Sequence, residues 1–119
     1  MRLFELKKIP AEDVLAYVRS IHHDFHIPKT ILNYPQWRKT RIPLTRLHIP
    51  DPESGEDLAD PYNRVQMIDM DHVADITRQD IERQPIVVDA DGHIIDGNHR
   101  ALAARLGGLF DIPAYIPTK

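Results

Sequence analysis

The sequence predicts an α+β domain, a small mixed sheet with helices packed on it. Three observations carry this expectation. Val14, Leu15, Val18 and Ile21 recur at helical spacing. The β-branched runs Ile86-Val87-Val88 and Ile94-Ile95 flank an Asp91-Gly92 pair, a strong hairpin signal. The alanine-rich stretch Ala101-Leu102-Ala103-Ala104 then leads to a closing apolar run at Ile112. Helix and strand signals mix along the chain, which suits one compact unit built as a layer pair.

Each element has its own local signal. Leu3-Phe4-Glu5-Leu6 reads as a short strand or lead-in. Pro10-Ala11-Glu12-Asp13 has a helix-start composition, proline early and acids in the first turn, and the helix is expected to run to about His23. Pro28, Pro35 and Pro43 interrupt the next stretch, so residues 27–41 are expected to be irregular, with short helical turns at most. Ile42 to Ile49 alternates apolar and polar residues and reads as a half-buried strand. Pro50 to Pro61 is a loop. Asp69 or Asp71 can cap one helix that turns Val73, Ile76 and Thr77 to the core and ends near Glu82. Pro85 to Val88 is a buried strand, Ala90-Asp91-Gly92 a turn, and His93 to Ile95 the return strand. Gly97-Asn98 turns into a helix that stops at Gly107-Gly108. Ile112 to Ile116 is the last strand, and Pro113 suggests an edge position.

Composition narrows the classes. The chain has 119 residues, the size of one ordinary domain. No apolar run approaches the length of a membrane span. Met1 to Lys8 alternates charged and apolar residues, unlike a secretory signal. Cysteine is absent, which removes disulfides, thiolate zinc sites and cysteine nucleophiles. A cytoplasmic protein is expected. Residues 1–50 hold nine Lys/Arg and four Asp/Glu, about +5, whereas residues 51–119 hold six and fourteen, about −8. The basic half allows one face to meet a polyanion and equally allows an inert, charge-separated surface.

The chemistry concentrates at Asp96-Gly97-Asn98-His99-Arg100. A helix start is electropositive, so cations are disfavoured there and an anion is welcome. Its first N–H groups lack intrahelical acceptors. Gly97 permits a sharp turn and close approach to the backbone. Arg100 can fork two donors onto a phosphate, His99 can donate a bond or move a proton, and Asn98 can cap the helix or hold hydrated Mg²⁺. Together they form a phosphate cradle without Walker spacing. The plainer reading makes Asp96 the N-cap, with Arg100 folded back on it and His99 at the surface.

Other stretches offer less. His22-His23-Asp24-Phe25-His26 has metal-binding side chains, but a helix C-terminus accounts for them and no metal site is assigned. Trp37 with Arg38, Lys39 and Arg41 suits a stacking and backbone-contact patch for nucleic acid, or packing beside a solvated edge. Asp51, Glu53, Glu56, Asp57 and Asp60 fit no calcium-loop spacing.

Gln84-Pro85-Ile86-Val87-Val88, the hairpin, Ile95 to Ala104, Gly107 and Ile112-Pro113 together resemble the ParB/sulfiredoxin superfamily. Partition proteins of that family carry a helix, "QPI-V", a hairpin, "GERR-RAA" and an "IPV"-like strand. Sulfiredoxins carry "GCHR" at the turn. Ile42 to Leu47 looks like the family's opening strand and Asp71 to Glu82 its first helix, so the resemblance covers roughly residues 42–117. Residues 1–41 match nothing in it. They read as an N-terminal helical extension, with 42–119 as the ParB/sulfiredoxin-like domain in one compact unit overall.

The resemblance implies a nucleotide-phosphate site at Gly97, Asn98, His99 and Arg100, with Gln84 and Pro85 beside the base or sugar. The family spans CTP-dependent clamps, ATP-using sulfiredoxins, a free-serine kinase and ParB-like nucleases. A nucleoside triphosphate with Mg²⁺ is the implied cofactor. Asn98 stands where sulfiredoxins have their catalytic cysteine, so sulfinic acid repair is excluded, and it replaces the glutamate that partition proteins carry at a metal-associated position. Ile81 replaces the glycine that partition proteins place three residues before "QP", which weakens any CTP specificity. No helix-turn-helix follows the last strand, so a stand-alone form of the kind phages and mobile elements carry is expected. Three functions fit: a nucleotide-dependent hydrolase or phosphotransferase, with Asp96 ahead of His99 and His93 as base; a DNA-binding or regulatory module, including a nuclease; and a non-catalytic scaffold for a host protein.

Overall fold

A computed structural model describes residues 8–21, 29–50 and 68–118. The expectations for Leu3–Leu6, for His22 to His26 and for the acids from Asp51 to Asp60 lie outside these residues. The strands are β1 (Ile9–Pro10), β2 (Gln36–Pro43), β3 (Ile86–Val88), β4 (Ile94–Asp96) and β5 (Asp111–Pro117). The helices are α1 (Ala11–Ile21), α2 (Met70–Asp75), α3 (Arg78–Arg83) and α4 (Asn98–Leu106), with 3-10 turns at Lys29–Asn33 and Leu44–Arg46. The sheet order is β1-β2-β5-β3-β4, antiparallel except where β3 meets β5. This is the expected α+β class with a mixed sheet.

Alternation along the central strands divides the core. Ile86, Val88 and Ile94 point to one face, with Val73, Ile81, Leu102 and Ile112. Val87 and Ile95 point to the other, with Val14, Val18, Ile31 and Trp37. Helix α1 thus covers one face and α2, α3 and α4 the other, making three layers where a layer pair was expected. A second face is buried because α1 brings its own apolar stripe to it.

Three further expectations are corrected. The strand expected at Ile42–Ile49 ends at Pro43 and begins at Gln36, inside the stretch read as irregular. Its buried residues, Trp37 and Ile42, are five apart and so enter opposite cores, and none of the four residues between them is buried, so no apolar–polar alternation marks the strand in the sequence. Leu44 and Leu47 close a 3-10 turn, with Leu47 N–H donating to the Leu44 carbonyl at 3.1 Å. The boundary drawn between residues 41 and 42 therefore falls within β2. The described part of the first 41 residues shares this sheet through β1, β2 and α1.

The single helix expected up to Glu82 is two. Asp69 caps α2 as expected, accepting from the N–H groups of Asp71 and His72. Thr77, expected in the core, instead caps α3 in a reciprocal box with Asp80. Finally, β5 is the middle strand, not an edge. Its pairing with β3 begins at Ala114, one residue past Pro113, so the missing proline N–H leaves no gap in that ladder.

Candidate functional site

The turn after β4 is built by packing. Gly97 has φ +104°, a left-handed conformation that side chains other than glycine rarely adopt. A Cβ there would lie 2.5 Å from Ile86 Cγ2 and 2.7 Å from Arg100 Nη2. Space around Gly97 is thus taken by Ile86 and by the guanidinium. The turn aims α4 so that Ala101, Leu102 and Ala104 enter the core. Gly107 stops the helix where the sequence places it.

The head of α4 differs from those of α2 and α3. It has no side-chain cap and no acid in its first turn. Its first two even-numbered residues are buried: Asn98 is 5% exposed and Arg100 6%. Arg100 Nη2 donates to Asp96 Oδ2 at 3.1 Å, and Nη1 donates to Gln84 Oε1 at 3.2 Å. Arg100 Nε and Asn98 Oδ1 are both buried and have no hydrogen-bond partner among the described residues. Orphaned buried polar atoms are uncommon, because losing water without a replacement bond costs about 1–3 kcal/mol each.

The structure thus joins Asp96, Gly97, Asn98, Arg100 and Gln84. Asp96 ends β4 and does not cap α4; that position belongs to Gly97. The fold-back of Arg100 onto Asp96 is as the plainer reading had it. His99 points elsewhere. Its Nε2 accepts the Asp69 backbone N–H at 3.0 Å, and its ring meets His72 edge-on with centroids 4.7 Å apart. His99 therefore docks the head of α2 against the head of α4.

His93, the other base candidate, lies at the far end of β4 in the hairpin. It stacks on His48 at 4.2 Å, and its Nδ1 is 3.8 Å from Asp89 Oδ2. Asp89, Asp91 and His93 bring ligand-type atoms together, but Asp89 Oδ1 already accepts the N–H groups of Asp91 and His93, both at 2.9 Å, and so shapes the turn.

The stacking role expected of Trp37 is corrected. Trp37 is fully buried between α1 and the sheet; its indole N–H donates to the Tyr34 carbonyl at 2.9 Å. No face is open for a base to stack on. Arg41 is engaged by Glu82 at 2.7 Å and Asp111 at 2.9 Å, bonds that raise its already high pKa further. Arg38 and Lys39 remain exposed.

One side chain at the site was not anticipated. Tyr17 of α1 donates its hydroxyl proton to the Pro85 carbonyl at 2.6 Å. Burial pushes its pKa upward; the Arg100 charge opposes that shift, and Asp96 and Tyr115 reinforce it. Tyr17 shares the helical face of Val14, Val18 and Ile21, a periodicity that signals an inward direction. Nothing in the sequence links it to a carbonyl 68 positions away.

A mixed five-stranded α+β sheet with an uncapped, glycine-led helix start over a buried Asp–Arg pair is the class that fold and site define. No protein-family model matches the chain, and no curated protein matches it. Among solved structures it is similar to the C2221 form of a Pnob8-like ParB-N domain, with a TM-score of 0.43 and 15% identity. That similarity covers 67% of this chain, and the chain spans 29% of that structure's length.

Proposed function

We propose that the Gly97–Arg100 turn binds a nucleotide phosphate. The observation that carries this reading is the pair of orphaned buried atoms, Asn98 Oδ1 and Arg100 Nε, at the uncapped head of α4. A phosphate oxygen suits the Arg100 Nε–H and the first-turn N–H groups, and the Arg100 guanidinium packs beside Gly97. Asn98 Oδ1 suits a cation-bound water, so a Mg²⁺-nucleotide fits the donor set. Gln84 and Pro85 border the site, where the sequence resemblance places base or sugar.

Binding is better supported than turnover. Phosphoryl transfer draws mainly on positioning and charge stabilisation, which this turn offers. Hydrolysis or transfer also needs a base. Asp96 is the carboxylate at the turn, and its bond to Arg100 suits holding the guanidinium more than accepting a proton. His99 Nε2 is committed to Asp69.

Arg100→Ala is a blunt probe, because it strands the buried Asp96 charge and is expected to cost about 3–5 kcal/mol of stability. Asn98→Asp separates the two effects. It keeps the shape, and a negative charge at a helix start is favourable by about 0.3–1 kcal/mol, yet it repels phosphate. Calorimetric titration with ATP, CTP, GTP and ADP should give saturable binding by the native protein. Without Mg²⁺, Asn98→Asp should lose tenfold or more in affinity with no loss in melting temperature. Absence of binding to every nucleotide at millimolar concentration, with and without Mg²⁺, overturns the reading.

A second reading, contact with a DNA backbone, rests on the exposure of Arg38 and Lys39 on β2. Replacing both by alanine should lower the salt dependence of duplex binding by about two phosphate contacts. An unchanged salt slope removes it.

A further inference from the structure

Arg100 is aimed by a residue that is itself poorly fixed. Gln84 Oε1 accepts from Arg100 Nη1 at 3.2 Å, yet Gln84 is exposed and follows the last turn of α3. A free glutamine side chain has substantial rotamer entropy, so its hold on an arginine depends on a fixed backbone. On one side that backbone is tied by the Gln84 N–H, which donates to the Asp80 carbonyl at 3.0 Å. On the other side the Pro85 carbonyl, just before β3 begins, accepts the Tyr17 hydroxyl at 2.6 Å.

Tyr17 is itself seated. Its ring packs against Tyr115 with centroids 5.1 Å apart and planes inclined by 57°. Tyr115 pairs with Val87 in the β3–β5 ladder. Helix α1 buries Val14 and Val18 on either side of Tyr17. The phenol is therefore a strut from α1 to the α3–β3 joint.

We infer that Tyr17 is a positioning residue of the phosphate site: from α1 it fixes the Gln84–Pro85 joint and, through Gln84, the aim of Arg100. The functional half of this inference rests on the phosphate reading; the structural half does not. The N-terminal segment thus contributes to the site without touching the ligand.

The test reads Arg100 directly. In the free, full-length protein, solvent exchange of the Arg100 Nε–H is followed by NMR in Tyr17→Phe, Gln84→Ala, the double variant and Tyr115→Phe. Tyr17→Phe keeps the ring and its packing on Tyr115. Exchange should quicken in each of the first two variants, and the double variant should be no faster than the faster single one. Tyr115→Phe should leave it unchanged, which a general loosening of the core would not. Nucleotide affinity should fall about five-fold in Tyr17→Phe, the weight of one ordinary hydrogen bond.

An Arg100 signal in Tyr17→Phe identical to the native one overturns the inference. So does an unchanged signal in Gln84→Ala, a surface variant that tests the middle link even if Tyr17→Phe fails to fold. Altered Arg100 exchange in a protein that binds no nucleotide would instead support the strut and count against the phosphate reading.

Discussion

Gly97 shows how one residue sets the site. Its φ is in the left-handed region, and a methyl group there would meet Ile86 and Arg100 well inside normal packing distance. Gly97→Ala should cost about 2–4 kcal/mol, combining backbone strain with overpacking. Gly108 also has positive φ, but nothing lies within 4 Å of its missing Cβ. Gly108→Ala should cost only the backbone term, about 1–2 kcal/mol. Urea unfolding midpoints of the two variants measure the difference, and equal losses would mean that packing at Gly97 adds nothing. The glycine was legible in the sequence as a turn. That Ile86 and the guanidinium fill its space was not, because both approach through the folded chain.

At the scale of elements, the helix starts of the second half differ in how they are satisfied. Asp69 caps α2, and Thr77 with Asp80 caps α3, while α4 has no side-chain cap. Thr77→Ala should lower stability by about 1 kcal/mol, read from the unfolding midpoint. The Asp80 carboxyl is held below its ordinary range by its bonds to Thr77, and Glu82 by its bonds to Arg41. Both folded-state values are depressed, so the stability they lend is present above the ordinary carboxylate range and is lost as pH falls through the folded values. Both groups are solvent-exposed, so the contribution is small. Melting temperature should fall on acidification below about pH 4.5, and less steeply in Asp80→Asn; parallel pH curves would contradict this. The sequence signalled the cap at Asp69. The break at Ile76-Thr77 was missed because helical periodicity runs through it, and the Thr77–Asp80 box competes with that periodicity locally.

Across the whole molecule, the described part of the first 41 residues packs against the sheet through α1, β1 and β2. Trp37 is the only tryptophan in the chain and lies fully buried between α1 and the sheet. Its fluorescence should be blue-shifted in the native protein and unmoved by oligonucleotide; quenching on DNA addition would contradict this placement. Trp37→Ala should cost about 3–5 kcal/mol. Removing residues 1–35 should abolish cooperative unfolding, because it strips the cover from Trp37, Val87 and Ile95. A truncated chain that melts cooperatively would show that residues 36–119 fold without the cover of α1.

Chemistry that acts within a few residues was readable from the chain alone. This includes the stripe of α1, the Asp91-Gly92 hairpin, the Gly97 turn with no acid after it, and the stop at Gly107-Gly108. Each depends on backbone preferences and neighbours one turn away. Folding decided the rest. The path of β2 between its two prolines, the central place of β5, the burial of Trp37, the commitment of His99 to Asp69 and the reach of Tyr17 to Pro85 all depend on partners many residues distant. Arg100 belongs to both levels. Its presence in the first turn of α4 is a sequence fact, whereas its aim, between Asp96 and Gln84, exists only once β4 and the end of α3 lie side by side.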